Sequence, residues 1–171
     1  MQPGAACRKT RQPWAVAAKM DIRALHKNDI VPALDLVREV FDEFEAPEYS
    51  REGILEFKNF IAYKNILRKI DADEIRFWGC YNEIGLVGVI AVKDFAHICL
   101  LFVKKEYQRQ GIAKRLFHTI LAHYKTHEGI DKITVNSSPY AVEAYRHLGF
   151  INTDSEKTIK GIRFTPMEYK L

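Results

Sequence analysis

The chain is poor in cysteine. Among its 171 residues there are three, Cys7, Cys80 and Cys99. They show neither metal-ligand spacing nor the even, regular pattern of a disulfide scaffold, so structural zinc and a stapled secreted domain are both disfavoured. Cys80 and Cys99 lie in apolar runs, where a thiol behaves as a small core residue. No stretch approaches the length of a membrane span, and there is no internal repeat or low-complexity linker. Excess charge is also missing from most of the chain. The formal net charge is +4, but Arg8, Lys9, Arg11 and Lys19 are the only charged side chains before Met20. With those four of the 26 basic residues set aside, 22 face 22 acidic ones, so the body is neutral and offers little to nucleic acid or an anionic membrane.

What is present is the composition of one soluble domain, long enough to bury a core. Residues 1–19 carry neither helical nor strand periodicity and read as a leader or expression-derived segment. A targeting sequence is the rival, since the segment is basic and lacks acids, but it also lacks serine and a sustained apolar region. Residues 20–171 read as a single domain. MDIRAL is a first strand. Asn28 or Asp29 caps a helix through Ile30, Leu34, Val37, Val40, Phe41 and Phe44, with Pro32 in its first turn. Ser50 caps a second helix through Ile54, Phe57, Ile61 and Asn65. IRFWGCY and GLVGVIAV form a hairpin through Asn82 and Glu83. His97–Val103 is a buried strand, and Ile112, Leu116, Ile120 and Tyr124 mark one face of a long helix. Asp131–Asn136 is a strand, Pro139–Leu148 a short helix closed by Gly149, and 150–154 and 164–169 two last strands. The order is βααβββαβαββ, an α/β domain around one mixed sheet.

Between the buried strand and the long helix lies QRQGIAK, Gln108–Lys114. Gly111 lets a ligand approach the backbone, and the helix that follows offers unpaired N–H groups and the positive end of its dipole. Such a loop binds anions, and a pyrophosphate fits it. An ordinary helix start would look the same.

Gln108-x-x-Gly111-x-Ala113 resembles the Gln/Arg-x-x-Gly-x-Gly/Ala signature of the GCN5-related N-acetyltransferases (GNAT family). AYRHLGF, containing Tyr145, is similar to that family's C-terminal Tyr-x-x-x-Gly-Phe segment. The resemblance spans residues 20–171. It implies the GNAT fold, with about seven strands and four helices, in which the fourth and fifth strands splay and hold acetyl-CoA between them. It implies acetyl transfer from acetyl-CoA to a primary amine, with no metal.

On the resemblance, Gln108, Arg109, Gln110, Gly111, Ile112, Ala113 and Lys114 cradle the pyrophosphate. A backbone N–H among Leu101, Phe102 and Val103 polarises the thioester, and Asn136 and Ser138 reach the pantetheine. Helix capping is the plainer role for Ser138. Tyr145 matches the general acid: a phenol with a pKa of about 10 is protonated at neutral pH and can donate to a departing thiolate. Phe41, Phe44, Glu45 and Tyr49 flank the break between the first two helices, where aromatics and a carboxylate suit a cationic amine. FAHICLLFV is similar to the stretch of histone-acetylating relatives that carries a catalytic glutamate. His97 stands at that position and is the candidate base, with Glu45 or water as alternatives. A non-catalytic acyl-CoA-binding or interaction module is the rival function. The reading carries further expectations: a cytoplasmic monomer or homodimer, with no nucleic-acid or membrane partner.

Overall fold

The computed structural model describes residues 19–94 and 96–171. The expected leader, apart from Lys19, lies outside the described residues, as do Cys7 and Phe95. Among the described residues eight strands and five α-helices follow one another: β1 Asp21–Ala24, α1 Ile30–Phe44, α2 Arg51–Phe60, α3 Tyr63–Asp71, β2 Ile75–Tyr81, β3 Leu86–Lys93, β4 His97–Val103, α4 Ile112–Tyr124, β5 Lys132–Ser137, α5 Val142–His147, β6 Ile151–Asn152, β7 Lys157–Ile159 and β8 Ile162–Lys170. The count exceeds the expected seven strands and four helices at two places. The second helix breaks after Phe60 and restarts at Tyr63. The segment before β8 pairs with it as a hairpin that turns at Lys160 and Gly161.

The sheet order is β1-β2-β3-β4-β5-β8-β6, with β7 also on β8. All pairings are antiparallel except β4 with β5. That exception creates the site. The two strands pair only at His97↔Thr134 and Ile98↔Val135. Next along β4 is Cys99, which has no partner on β3: Ile98 faces Val92, Leu100 faces Ala91, and Cys99 is the extra residue of a bulge. A bulge bends and twists the strand that carries it. From Cys99 to Val103, β4 has no paired neighbour on the β5 side among the described residues, while β5 continues along β8 to Ser137. The result is a V.

Two apolar layers flank the sheet. One packs Ile30, Leu34, Val37 and Phe41 of α1 with Ile66 of α3 on Phe77, Val89, Ala91, Leu100 and Phe102. The other packs Ile112, Leu116, Phe117 and Ile120 of α4 on Trp78, Ile90, Val92, Ile98 and Ile133. The periodic positions of both helices are thus the ones that bury. The expected cap at Ser50 forms, its Oγ accepting from the Gly53 N–H at 3.2 Å. At α1 the capping carboxylate turns the other way: Asp29 accepts from the backbone N–H of His26 at 3.0 Å. No helix among the described residues is long and apolar enough to cross a membrane.

Candidate active site

Two cavities open into the V and share a wall. The larger, about 640 Å³, runs along the end of β4 to the start of α4, with Val103, Gln108, Arg109, Gly111, Ile112, Ala113 and Lys114 along it. Gly111 takes φ +81°, a left-handed conformation that costs other residues strain. A Cβ built there would meet no atom within 4 Å, so its face is open to a ligand. The residues behind it start α4, where N–H groups have no partner within the helix. An open backbone face beside a helix start is an arrangement that suits an anionic group.

Gln108 has a different task from the rest of its motif. Its Nε2 donates to the Val103 carbonyl at 3.0 Å, bracing the loop against the strand end. Gln110 donates from Nε2 to the Glu106 carbonyl and lines neither cavity.

The second cavity, about 480 Å³, lies between α2, the base of the V and the β7–β8 hairpin. Tyr49, Phe57, Phe60, His97, Cys99 and Phe164 form much of its wall. Its roof is fastened. The Gly161 carbonyl accepts from the Ser50 N–H at 3.4 Å. A Cβ on Gly53 would fall 2.2 Å from that same oxygen, so only glycine lets helix and hairpin meet so closely. Ion pairs Lys160–Glu56 at 3.4 Å and Arg163–Glu48 at 3.1 Å tie the hairpin to the α1–α2 side.

Five residues belong to both cavities: Glu45, Leu101, Phe102, Ala141 and Tyr145. Only Glu45 and Tyr145 among them can exchange a proton. Burial pushes the Glu45 carboxyl up to about 7, against a smaller opposing effect of the nearby Ser138 hydroxyl. Ser138 Oγ is itself buried and makes no hydrogen bond of good geometry, so the contact with Glu45 is a loose one. Tyr145 is 6% exposed. Its phenol is raised above its ordinary value by burial first, then by the charges of Glu45 and Cys99. It therefore holds its proton at neutral pH.

The remaining expected residues divide plainly. Asn136 and Ser138 line the smaller cavity rather than the larger one. Phe44 lines the larger cavity and Tyr49 the smaller. Phe41 lines neither: it is fully buried behind them, stacked on Phe57 at 3.9 Å. His97 lines only the smaller cavity, and its Nδ1 lies 2.8 Å from Thr134 Oγ1. Burial, then the charge of Lys93, lowers its pKa, so its imidazole is neutral. The sequence reading missed Phe57, Phe60, Phe164 and the hairpin. In the sequence Phe57 reads as one residue of a helix face, and residues 159–162 show no strand pattern. Among the described residues no group of three or more His, Cys, Asp or Glu side chains is placed to hold a metal.

Residues 45–171 match the family described as acetyltransferase (GNAT) domain. No curated protein sequence matches the chain. Among solved structures, the PaiA N-acetyltransferase of Thermoplasma acidophilum, in complex with coenzyme A, is 24% identical with a TM-score of 0.74; the match covers 90% of this chain and 99% of that one. A GCN5-related N-acetyltransferase from Rhodopseudomonas palustris is 18% identical with a TM-score of 0.77, covering 91% and 98%. The spermidine N-acetyltransferase of Vibrio cholerae, in complex with CoA and spermine, is 19% identical with a TM-score of 0.60, covering 88% and 95%. At these identities the likeness is one of fold.

Proposed function

The chain belongs to the GNAT acetyltransferase family, and from that premise we propose that residues 20–171 transfer the acetyl group of acetyl-CoA to a primary amine by direct attack in a ternary complex. The observation that carries this reading is the meeting of two cavities at one raised carboxyl and one raised phenol, Glu45 and Tyr145. The phosphate-sized cradle at Gly111 lies at the far end of the larger cavity, so acetyl-CoA belongs there, with Arg109 and Lys114 adding positive charge. The acceptor belongs in the smaller cavity. Both neighbours solved with coenzyme A are named N-acetyltransferases, and one acts on spermidine, which supports an amine acceptor.

Each step falls to a residue already placed. A backbone N–H among Leu101, Phe102 and Val103, on the opened stretch of β4, polarises the thioester carbonyl. Glu45 takes a proton from the incoming ammonium; a base with a pKa of about 7 is matched to neutral pH. Tyr145 gives its proton to the departing thiolate. His97 is the second candidate for the base, because it shares the acceptor cavity.

Mixing the protein with acetyl-CoA and a panel of amines, with free thiol and product mass as readouts, tests the reading. Amine-dependent thiol release with an acetylated product supports it. Calorimetric binding of acetyl-CoA with no thiol release for any amine would assign the chain to non-catalytic acyl-CoA binding instead.

A further inference from the structure

Tyr140 takes no part in the chemistry above. It sits in the turn Pro139–Ala141 between β5 and α5. Its ring stacks on Phe44, the last residue of α1, at 5.1 Å between centroids and 23° between planes. Its hydroxyl donates to Gln108 Oε1 at 3.3 Å, and the other end of that same amide donates to the Val103 carbonyl. The Lys105 ammonium lies 5.8 Å from the Phe44 ring centroid and pairs with Glu43. Phe44, Gln108 and Tyr140 all line the larger cavity. Three separate elements are therefore joined across its mouth: the end of α1, the β4–α4 loop and the turn before α5.

The join is weak by its nature. Tyr140 is 50% exposed, so the contact is not core packing. It rests on one aromatic pair and one long hydrogen bond, both of which exchange readily with water. Its place in the sequence gives it leverage, because the residue after Phe44 is Glu45. Whatever fastens Phe44 also fastens the carboxyl at the junction of the two cavities.

We propose that Tyr140 is a positioning residue: with Phe44 and Gln108 it closes a clasp over the acyl-CoA cleft, slows cofactor exchange, and holds Glu45 in place beside the acceptor. The clasp rests on the reading that this cleft takes acetyl-CoA. It opens to admit or release the cofactor and closes before proton transfer.

CoA dissociation, followed by stopped-flow displacement from the full chain, tests it. Tyr140→Ala should release CoA faster by roughly 2- to 12-fold, the loss expected for one aromatic pair. Phe44→Ala should do the same. The double variant should be no faster than Tyr140→Ala alone, since Phe44→Ala removes only the stack that Tyr140→Ala already removes together with the Gln108 hydrogen bond. Tyr140→Phe keeps the stack and should restore most of the wild-type rate. Tyr140 is half exposed, so its loss leaves the fold intact; Phe44→Leu, which keeps bulk without a ring, gives the answer from the other side.

The second readout is the acidic limb of kcat/KM with an amine from the panel. Glu45 is faced by Tyr49 and Tyr145, with the Ser138 hydroxyl beside it. His97, Glu56, Lys93 and Lys160 share its smaller cavity, and Arg109, Lys114, Glu143 and His147 the larger. Freed into water, the carboxyl returns toward its ordinary range, so Tyr140→Ala should move the limb to lower pH and Tyr140→Phe should move it back. Unchanged release and an unmoved limb in Tyr140→Ala, in a protein that binds CoA, overturn the clasp alone. So do single-variant effects that multiply in the double variant. If the wild-type chain binds no CoA, the cleft reading falls and takes the clasp with it.

Discussion

The cleft that ends at Gly111 is lined largely by one stretch of chain, residues 101–114, with α5 as its opposite wall. The cavity under the β7–β8 hairpin draws instead on the α1–α2 junction, α2, β4, β5 and the hairpin itself. The first relies on backbone: a left-handed glycine, a helix start and an unpaired strand edge. The second relies on side chains brought together from more than one hundred positions apart in sequence, as where Lys160 pairs with Glu56. Backbone binding leaves a short local signature, because the groups it needs recur at fixed spacing. Side-chain cavities leave none, because any apolar residue at the right place serves as wall. The one cavity can therefore be read as a cofactor site and the other only as a volume with a carboxyl at its end.

The comparison breaks most sharply at Gly111. Gly111→Glu adds backbone strain of about 1–2 kcal/mol from the left-handed φ and sets a negative charge where a phosphate should lie. Acetyl-CoA binding by calorimetry should be lost while circular dichroism stays native. Gly111→Ala carries the strain without the charge and should weaken binding far less. Equal affinity in Gly111→Glu and wild type would sink the phosphate cradle.

Next in size is the junction. Tyr145→Phe keeps the ring that packs on Phe150 and removes only the proton. A fall in kcat of roughly 10²–10⁴-fold, with acetyl-CoA affinity nearly unchanged, is the outcome expected of a general acid. A kcat within about twofold of wild type would move that proton to another donor.

How much of this was legible follows the same division. The β4 limits, the α4 stripe and the Gln108–Lys114 loop were readable because each is continuous in sequence. The splay was not, since it arises from a bulge at Cys99, and nothing in the apolar run of β4 marks one of its residues as extra. Glu45 was visible as a carboxylate beside aromatics, but its raised pKa comes from burial that only the assembled fold provides. Phe41 shows the converse: an aromatic about one turn before Phe44 and Glu45 on α1 proved to be core. The hairpin at Lys160–Gly161 was hidden because its first strand, β7, is only three residues long and exposed throughout.

Glu45→Gln should move activity and stability in opposite directions. The rate should drop and lose its acidic limb near pH 7. For stability, an unfolded glutamate ionises at about 4.3, while the buried carboxyl holds its proton up to about pH 7. Between those limits the folded chain binds more protons than the unfolded one. The group's stabilising contribution is therefore full below about pH 4 and is lost as pH rises to about 7. Glutamine cannot ionise, so the melting temperature of Glu45→Gln relative to wild type should rise between pH 5 and pH 8. A flat difference across that range would mean that Glu45 is not buried as described.

Gly53→Ala tests whether the two cavities are independent. Alanine suits a helix better than glycine by about 1 kcal/mol, but its Cβ would stand 2.2 Å from the Gly161 carbonyl oxygen. The hairpin must lift, at a net destabilisation of about 1–3 kcal/mol by comparison with other overpacked sites. The acceptor KM should rise several-fold while acetyl-CoA affinity holds, because no residue of the hairpin lines the cavity that ends at Gly111. A parallel loss of cofactor affinity would show that the cavities form one mechanical unit.

The smallest effect belongs to His97, and it decides which group is the base. His97 and Glu45 both face the acceptor cavity, but only Glu45 also reaches the cofactor cleft. The imidazole is held at Nδ1 by Thr134, at the first pair of the parallel β4–β5 contact, where the V is still closed. Burial and Lys93 lower its pKa, which favours the neutral imidazole. A neutral imidazole is chemically able to accept a proton; what separates the two candidates is that only the carboxyl lies where the two cavities meet. His97→Gln preserves a hydrogen-bonding side chain in that pocket. It should change kcat/KM by no more than a few-fold and leave the limb near pH 7 in place, while Glu45→Gln removes it. The reverse pattern, with the limb lost in His97→Gln and kept in Glu45→Gln, would move the base from α1 to the foot of β4. The amine would then have to approach from the closed end of the V.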